Sequence, residues 1–451
     1  MLTKDKSFYK SLLFLASPIA LQNLITFSVG FIDNIMTSSL GDSVMSGVYM
    51  ANQVQVLFAL LIGGIEAGLT VLGSQYKGQG DGETVKKIAL TGLRFSLLLG
   101  VLLSLLSIFA PRFILSLFTD KEEIIRHGAV YLRIISPTYS LFSISQVLVA
   151  YERCLGRSYV GLIASGISLG VNLFFNYVLI YGRLGFPSLE VVGVGIATLI
   201  SRAVELLLVL AYVLFIDKGG RIKLNELLCF DKKLTMDYLK CALPIILGQA
   251  VWAFNIFYGS ATMGRLSEEG VVSGLSIANS LHTLSYVVIN GMSSAVGIIT
   301  GRTVGEGRLD KLREYSKTVE LLFLAVGILT GGAILLGERL FISLFSVSEA
   351  ARKVAGSLIK VISVTIIGTS YQLATLFGLV KSGGDVWFVT RNDLLFLLFF
   401  TLPTSLVAVR LGLPPYAVYL TLKADQLLKC PVARLKLKKF DFVKRLTKEK
   451  G

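Results

Sequence analysis

The sequence predicts an all-α membrane protein of about twelve transmembrane helices, arranged as two six-helix lobes related by a parallel internal repeat. Three observations predict it. The first is composition: 53% of the 451 residues are hydrophobic and only 16% charged, with a mean hydropathy of +0.71, where a soluble globular chain carries about 25% charged residues. The second is the recurrence of apolar runs, as around Leu97 to Phe109, Leu206 to Phe215 and Leu394 to Val409 with their flanks. With those flanks, each suffices to cross roughly 30 Å of hydrocarbon. The third is self-similarity between the two halves, which changes the fold class that the runs alone would suggest.

Taken in order, the runs and their Gly, Pro and charged breaks place helices near residues 12–40, 44–72, 88–110, 128–152, 158–182 and 189–216. A second set follows near 238–264, 271–300, 313–337, 352–380, 386–408 and 414–430. The lobes are thus expected at 1–216 and 241–430. Between them lies a cytoplasmic linker at 217–240 that holds Lys218, Arg221, Lys223, Lys232, Lys233 and Lys240, and a basic cytoplasmic tail occupies 431–451. The first run has no basic n-region or small-residue cleavage site before it and carries Asp33 within it, so it reads as a retained helix and not a signal peptide.

The repeat is legible residue by residue. Val44-Met45-Ser46-Gly47 through Ala51-Asn52 matches Val271-Val272-Ser273-Gly274 through Ala278-Asn279, an offset of 227 positions. The same offset carries Gln22 onto Gln249, Met36 onto Met263, Gly64 onto Gly291, Gly78 onto Gly305 and Gly80 onto Gly307. An even number of helices separates the copies, so both share one orientation. Folds duplicated in this way set a transport site between the halves near the middle of the bilayer. Glycines inside predicted helices, among them Gly161, Gly166, Gly170 and Gly331-Gly332, suit close helix packing in lipid and could also act as hinges.

The net charge of +15 follows topology. With the N-terminus in the cytoplasm, about 32 Lys and Arg fall inside and about 12 outside, the asymmetry that orients membrane proteins. The densest cluster, from Lys423 to Lys450, lacks the interleaved aromatics of a nucleic-acid platform and suits contact with anionic lipid headgroups. No nucleic-acid partner is implied. Cys154, Cys229, Cys241 and Cys430 form no CxxC pair and lie near predicted cytoplasmic ends, and His127 and His282 stand apart. Disulfides, metal sites and other cofactors are therefore not expected. There is no GxxxxGK[ST] pattern, so any uphill transport would draw on an ion gradient. An HExxH pattern is absent too, and no enzyme is expected.

An ionisable residue deep in a spanning helix is a functional hypothesis by default. Asp33 is the clearest, in the outer half of the first helix. Gln22 and Thr26 precede it by 11 and 7 residues and share its direction to within about 20° on a helix of 3.6 residues per turn. They form a polar stripe that should face away from lipid. A carboxyl group in such a place can take up and release a proton near physiological pH, or coordinate Na⁺ when ionised; alternatively it serves only to bridge helices. Pro18, on the same helix, removes one backbone hydrogen bond and offers a bend. Glu66, in the inner half of the second helix, is a second candidate for cation coupling, or else pairs with a basic residue or reaches the interface. Glu205, three residues after Arg202, suits an intrahelical ion pair. Gln146, Asn172, Asn176, Gln249, Asn255, Tyr258, Asn290 and Gln372 could line a cavity or merely bridge helices. No Lys or Arg is expected mid-helix apart from Arg94.

These residues together resemble the multidrug and toxic compound extrusion (MATE) transporters over nearly the whole chain. Pro18 with Phe31-Ile32-Asp33-Asn34-Ile35-Met36 looks like the family's first helix, and Asn52-Gln53 with Gly73-Ser74-Gln75-Tyr76-Lys77-Gly78 like its second. Asn172-Leu173-Phe174-Phe175-Asn176-Tyr177 with Ile180-Tyr181-Gly182 looks like the fifth, and Gly193, Ile196-Ala197-Thr198 and Ser201-Arg202 like the sixth. The resemblance implies a twelve-helix, two-lobe exporter of drugs and toxic compounds in exchange for H⁺ or Na⁺. By the resemblance Asp33 falls on the family's first-helix carboxylate; a monomer in the cell membrane, with both termini cytoplasmic, is expected. The resemblance also exposes departures. Trp252 and Thr369 stand where some members carry acids in the seventh and tenth helices, and Asn176 where others carry an aspartate in the fifth. Trp252 is thereby a cavity candidate, and coupling concentrates on Asp33. Amphipathic or cationic organic molecules would suit a largely apolar cavity with a few polar groups. The rival expectations are a flippase of lipid-linked precursors, which would want a basic cavity and usually more helices, and an ion channel, for which no TVGYG-like filter is present.

Overall fold

The computed structural model of the chain describes residues 2–38, 42–118, 121–217, 226, 230–266, 268–345 and 347–447. The described elements are helical throughout, apart from one antiparallel bridge between Gly384 and Val443. The first half comprises α1 (Lys6–Ser38), α2 (Asp42–Gly78), α3 (Gly82–Phe109), the short α4 (Pro111–Ser116), α5 (Glu122–Ile135), α6 (Pro137–Leu155), α7 (Tyr159–Tyr181) and α8 (Glu190–Ala211). The second comprises α9 (Lys232–Gly264), α10 (Val271–Gly305), α11 (Leu309–Ser343), α12 (Glu349–Gln372), α13 (Val386–Phe396), α14 (Leu402–Arg410), α15 (Pro415–Lys423) and α16 (Asp425–Lys439). Wider, π-type turns extend α8 to Ile216 and α12 to Lys381, and join α13 to α14.

Among the described residues, ten helices are long and apolar enough to cross a membrane, and α5 with α6 makes an eleventh if that pair, bent by 50°, is one span. The bend has a local cause. Pro137 cannot donate to the carbonyl of Arg133, and the Ser136 hydroxyl takes that carbonyl instead at 2.8 Å, while Ser104 Oγ donates to the Ser136 carbonyl at 2.6 Å.

The twelfth predicted span departs from expectation. The segment 414–430 was expected to be apolar and to end in a basic tail at 431–451. Instead α15 stops after nine residues and α16 begins at Asp425, so that Lys423, Asp425 and Lys429 fall around the junction of the two. Residues 415–439 together would span about 37 Å at 1.5 Å per residue. Beyond α16 the chain docks instead of trailing. Phe442 is fully buried, Lys444 N donates to the Gly383 carbonyl at 2.8 Å, and Asp385 takes ion pairs from Lys436 at 2.8 Å and Lys444 at 2.7 Å. Gly384 has φ +112°, and a Cβ there would lie 2.3 Å from the Lys444 carbonyl oxygen, so this clasp needs glycine.

The chain divides into two compact units, one of residues 21–242 and the other of residues 1–20 with 243–451. The division differs from the expected boundaries at 216 and 241 because each copy's first helix belongs to both units. In one unit the start of α1 packs on α11: Phe8 stacks on Tyr315 at 4.5 Å, and Tyr315 donates to Asp5 at 2.7 Å. In the other, the start of α9 packs on α2, where Tyr238 donates to the Ile65 carbonyl at 2.8 Å and a Cβ on Gly68 would meet Ala242 at 2.7 Å. The changeover falls two residues after Pro18 in α1 and one residue before Pro244 in α9. Of the expected linker, residues 218–225 and 227–229, including Cys229, lie outside the described residues. Among the described residues, Cys154, Cys241 and Cys430 take part in no disulfide.

Candidate functional site

The polar stripe of α1 faces the interior of the 21–242 unit. Asp33 is buried, with 3% of its surface exposed, and α7 and α8 supply its partners. Asn176 Nδ2 donates to Asp33 Oδ1 at 2.7 Å and lies 3.2 Å from Asn172 Oδ1, and Thr198 Oγ1 reaches Asp33 Oδ2 at 3.4 Å. Asn172 and Asn176 are one turn apart on α7, which puts both amides on the face turned to α1. Asn176 Oδ1 and Asn172 Nδ2 find no partner among the described residues. Neutral donors therefore reach both carboxyl oxygens, and an unused acceptor lies beside them. Such a site can hold a charge, and the same amide could turn to accept from a protonated acid.

Three turns below on α1, Gln22 is 1% exposed and uses both ends of its amide. Its Oε1 accepts from Arg153 Nη2 at 2.7 Å, and its Nε2 donates to Ser165 Oγ at 3.4 Å. Ser165 in turn donates to Glu205 at 2.8 Å, and Arg202 holds the other oxygen of Glu205 at 2.7 Å. That last contact is the intrahelical pair the spacing predicts. Glu66, of the three roles open to it, has a basic partner: Arg153 Nη1 lies 3.8 Å away. Arg153, in the last turn of α6, points inward and is mostly buried, and the expectation that only Arg94 lies mid-helix is corrected by Arg202 in the middle of α8. Thr26 uses its hydroxyl on the carbonyl of Gln22 at 3.0 Å, and Gln146 is buried with Nε2 unpaired among the described residues.

The remaining candidates belong to the other unit. Trp252 stacks on Tyr286 at 5.4 Å, Tyr258 bonds Ser405 at 3.0 Å, Gln372 is buried at the end of α12, and Gln249 and Asn290 are half-buried on α9 and α10. That unit also contains a charged cluster the sequence reading missed. Lys429 Nζ lies 2.9 Å from both Asp393 and Asp425, and Lys429 and Asp425 are buried. Spacing could have revealed half of it, since Asp425 and Lys429 stand four apart on one helix. Asp393 could not be found so, because only packing brings α13 to α16. A GxSxG spelling does occur, at Gly166-Ile167-Ser168-Leu169-Gly170, but it lies inside α7, and Ser168 donates to the Ser201 carbonyl at 2.9 Å. Without a strand-to-helix elbow it is no nucleophile site. Among the described residues no group of three or more His, Cys, Asp or Glu is placed to hold a metal ion.

The MatE family model matches residues 18–178 and 244–407, one copy in each half and well over half of the chain. The chain belongs to the MatE family. Its two matched segments coincide with the repeat seen at the offset of 227 and with the prolines of α1 and α9. Among the curated relatives of this MatE chain, a multidrug resistance protein (PmpM) of Pseudomonas aeruginosa is 26% identical over 78% of this chain and 73% of its own length. A probable multidrug resistance protein (NorM) of Thermotoga maritima is 26% identical over 75% and 72%. An uncharacterized transporter (YisQ) of Bacillus subtilis is 23% identical over 94% and 92%. The fold is that of solved MATE structures. A multidrug resistance MATE transporter in its outward-facing conformation superposes with a TM-score of 0.85 at 21% identity over 97% of this chain and 99% of that one. A MOP-superfamily transporter from Pyrococcus furiosus gives 0.84 at 21% over 95% and 96%. Family and apolar helices together make this MatE chain a multi-pass membrane protein.

Proposed function

We propose that this protein is an ion-coupled antiporter that exports small organic compounds, cationic or amphipathic in character, from the cytoplasm by alternating access. The multidrug resistance names of its relatives support export of small organic compounds, the apolar cavity expected from the sequence suits cationic or amphipathic ones, and the Asp33 site carries the coupling. Asp33 is a buried carboxyl group reached by neutral donors on α7 and α8, so it can change charge by taking up H⁺ or exchanging Na⁺. Loading Asp33 from outside and loading substrate from inside exclude one another, and by linkage each expels the other. The termini lie in the cytoplasm of a cell-membrane protein, as the Lys and Arg asymmetry requires. H⁺ or Na⁺ is the coupling substrate, and no resident cofactor takes part.

The flippase reading wanted a basic cavity. Among the described residues the most deeply buried lysine, Lys429, is neutralised by two aspartates, which leaves the antiporter reading ahead. In proteoliposomes with a defined pH or Na⁺ gradient and a panel of cationic dyes, Asp33→Asn is expected to abolish gradient-driven efflux while the protein remains folded and inserted. Undiminished efflux by Asp33→Asn would overturn the assignment.

A further inference from the structure

Two contacts tie α1 to α7, and they share one register. Gln22 meets Ser165 and Asp33 meets Asn176, and in both pairs the partners are 143 positions apart. The helices run in the same direction over this stretch, about 16 Å long for 11 residues of helix, so a slip of α1 along α7 breaks both contacts together.

The lower contact is built with care. Gln22 lies against Gly161, where a Cβ would fall 2.3 Å from Gln22 Oε1 and 2.6 Å from Val149 Cγ1. Only glycine leaves room for the amide at that level. Through the amide, charges on three other helices are joined: Arg153 with Glu66 on one side, and Glu205 with Arg202, by way of Ser165, on the other. On α8 the residues Thr198, Arg202 and Glu205 recur at helical spacing, so one face of α8 touches Asp33 at one end and the Gln22 group at the other. The titratable and charged groups that face this stretch of α1 are Glu66 on α2, Tyr131 on α5, Arg153 on α6, and Arg202 and Glu205 on α8.

We propose that Gln22 is a positioning residue for cation coupling: with Gly161, Arg153 and Ser165 it fixes the register of α1, so that Asp33 meets Asn176 and Thr198 only when the Gln22 contact is made. The inference rests on Asp33 as the coupling site. Gln22 then needs no contact with the exported compound, in contrast to the cavity role its position in the stripe suggests.

The test uses the full-length protein in proteoliposomes, with several unrelated cationic dyes and a graded pH or Na⁺ gradient. Gln22→Ala, Gly161→Ala and Ser165→Ala are compared with wild type and with Asp33→Asn. Losing one buried hydrogen bond to a charged partner corresponds to about 1.5–3 kcal/mol, so the cation concentration giving half-maximal efflux is expected to shift by about tenfold or more. The shift should be the same for every dye, with each dye's KM unchanged. Gly161→Ala displaces the amide without deleting it, and the double variant Gln22→Ala with Gly161→Ala should shift no further than either alone. Dye-specific changes in KM at an unaltered cation dependence would make Gln22 a substrate contact and overturn the proposal. If Gln22→Ala fails to fold, Ser165→Ala decides alone: a wild-type cation dependence in that variant overturns the proposal. Failure of the coupling reading itself is seen separately, as gradient-driven efflux that survives Asp33→Asn.

Discussion

The Asp33 site of one unit and the Lys429 cluster of the other bury charge in opposite ways. In the 21–242 unit, Asp33 sits among amides and a hydroxyl, and Asn176 keeps an unused acceptor beside it. In the other unit, Asp393 and Asp425 are both closed on Lys429 at 2.9 Å. A carboxylate held by neutral dipoles can exchange its charge for that of an arriving cation with little disturbance. A carboxylate locked to a buried ammonium cannot, because neutralising it strands the ammonium. The duplication therefore repeats the frame while the two sites differ: an acid among neutral donors at Asp33, and acids fixed on a lysine at Asp393 and Asp425. Ser260, which takes the place of Asp33 at the offset of 227, is exposed and carries no acid.

The comparison can be broken most decisively by exchanging the readouts. Asp33→Asn should abolish coupled efflux with little loss of thermal stability in detergent. Lys429→Ala, which leaves two buried aspartates without their cation, should cost stability by about 3–5 kcal/mol. A Lys429→Ala protein that unfolds at the wild-type temperature would show that the C-terminal cluster is not locked.

A smaller effect tests the clasp at the end of the chain. Burial would raise the Asp385 carboxyl, but Lys436 and Lys444 outweigh it and hold the group below the usual carboxylate range. Since the folded value lies below the unfolded one, the stabilisation is present above about pH 4 and is lost as pH falls through the folded value. Hydrogen exchange over residues 440–447 should therefore accelerate only in acid for wild type, and at neutral pH for Asp385→Asn. Slow exchange in Asp385→Asn at neutral pH would mean that Phe442 and the backbone bonds hold the segment unaided. The smallest expected change is Tyr258→Phe, which removes the bond to Ser405 and should cost about 1 kcal/mol by thermal unfolding. Gradient-driven efflux should be left intact, as befits a polar bridge outside the unit that holds Asp33.

Much of the candidate site was legible in advance because it lies along single helices. Asp33, Gln22 and Thr26 share a face of α1, Asn172 and Asn176 share a face of α7, and Arg202 with Glu205 pair within α8. What could not be read was the partnering across helices. Arg153 lies one residue beyond the helix expected at 128–152, and only packing turns its charge toward Gln22 and Glu66. The expected tail at 431–451 differs for a related reason: its lysines match a cytoplasmic tail by composition, whereas ion pairs from Lys436 and Lys444 to Asp385 hold the segment against the unit.

The sequence by itself determined the helical membrane class, the order of the helices, the duplication and the isolated acid of α1, since each follows from local periodicity, hydropathy or self-comparison. Only the tertiary structure decided that α1 and α9 each belong to both units, that Gln22 and Asp33 engage α7 in one register, and that Asp393 and Asp425 are held by Lys429. The reason is physical: hydropathy reports what a segment can bury, but helices of similar apolarity can meet in many registers. Close contact at a few small residues and the pairing of buried polar groups select one of them.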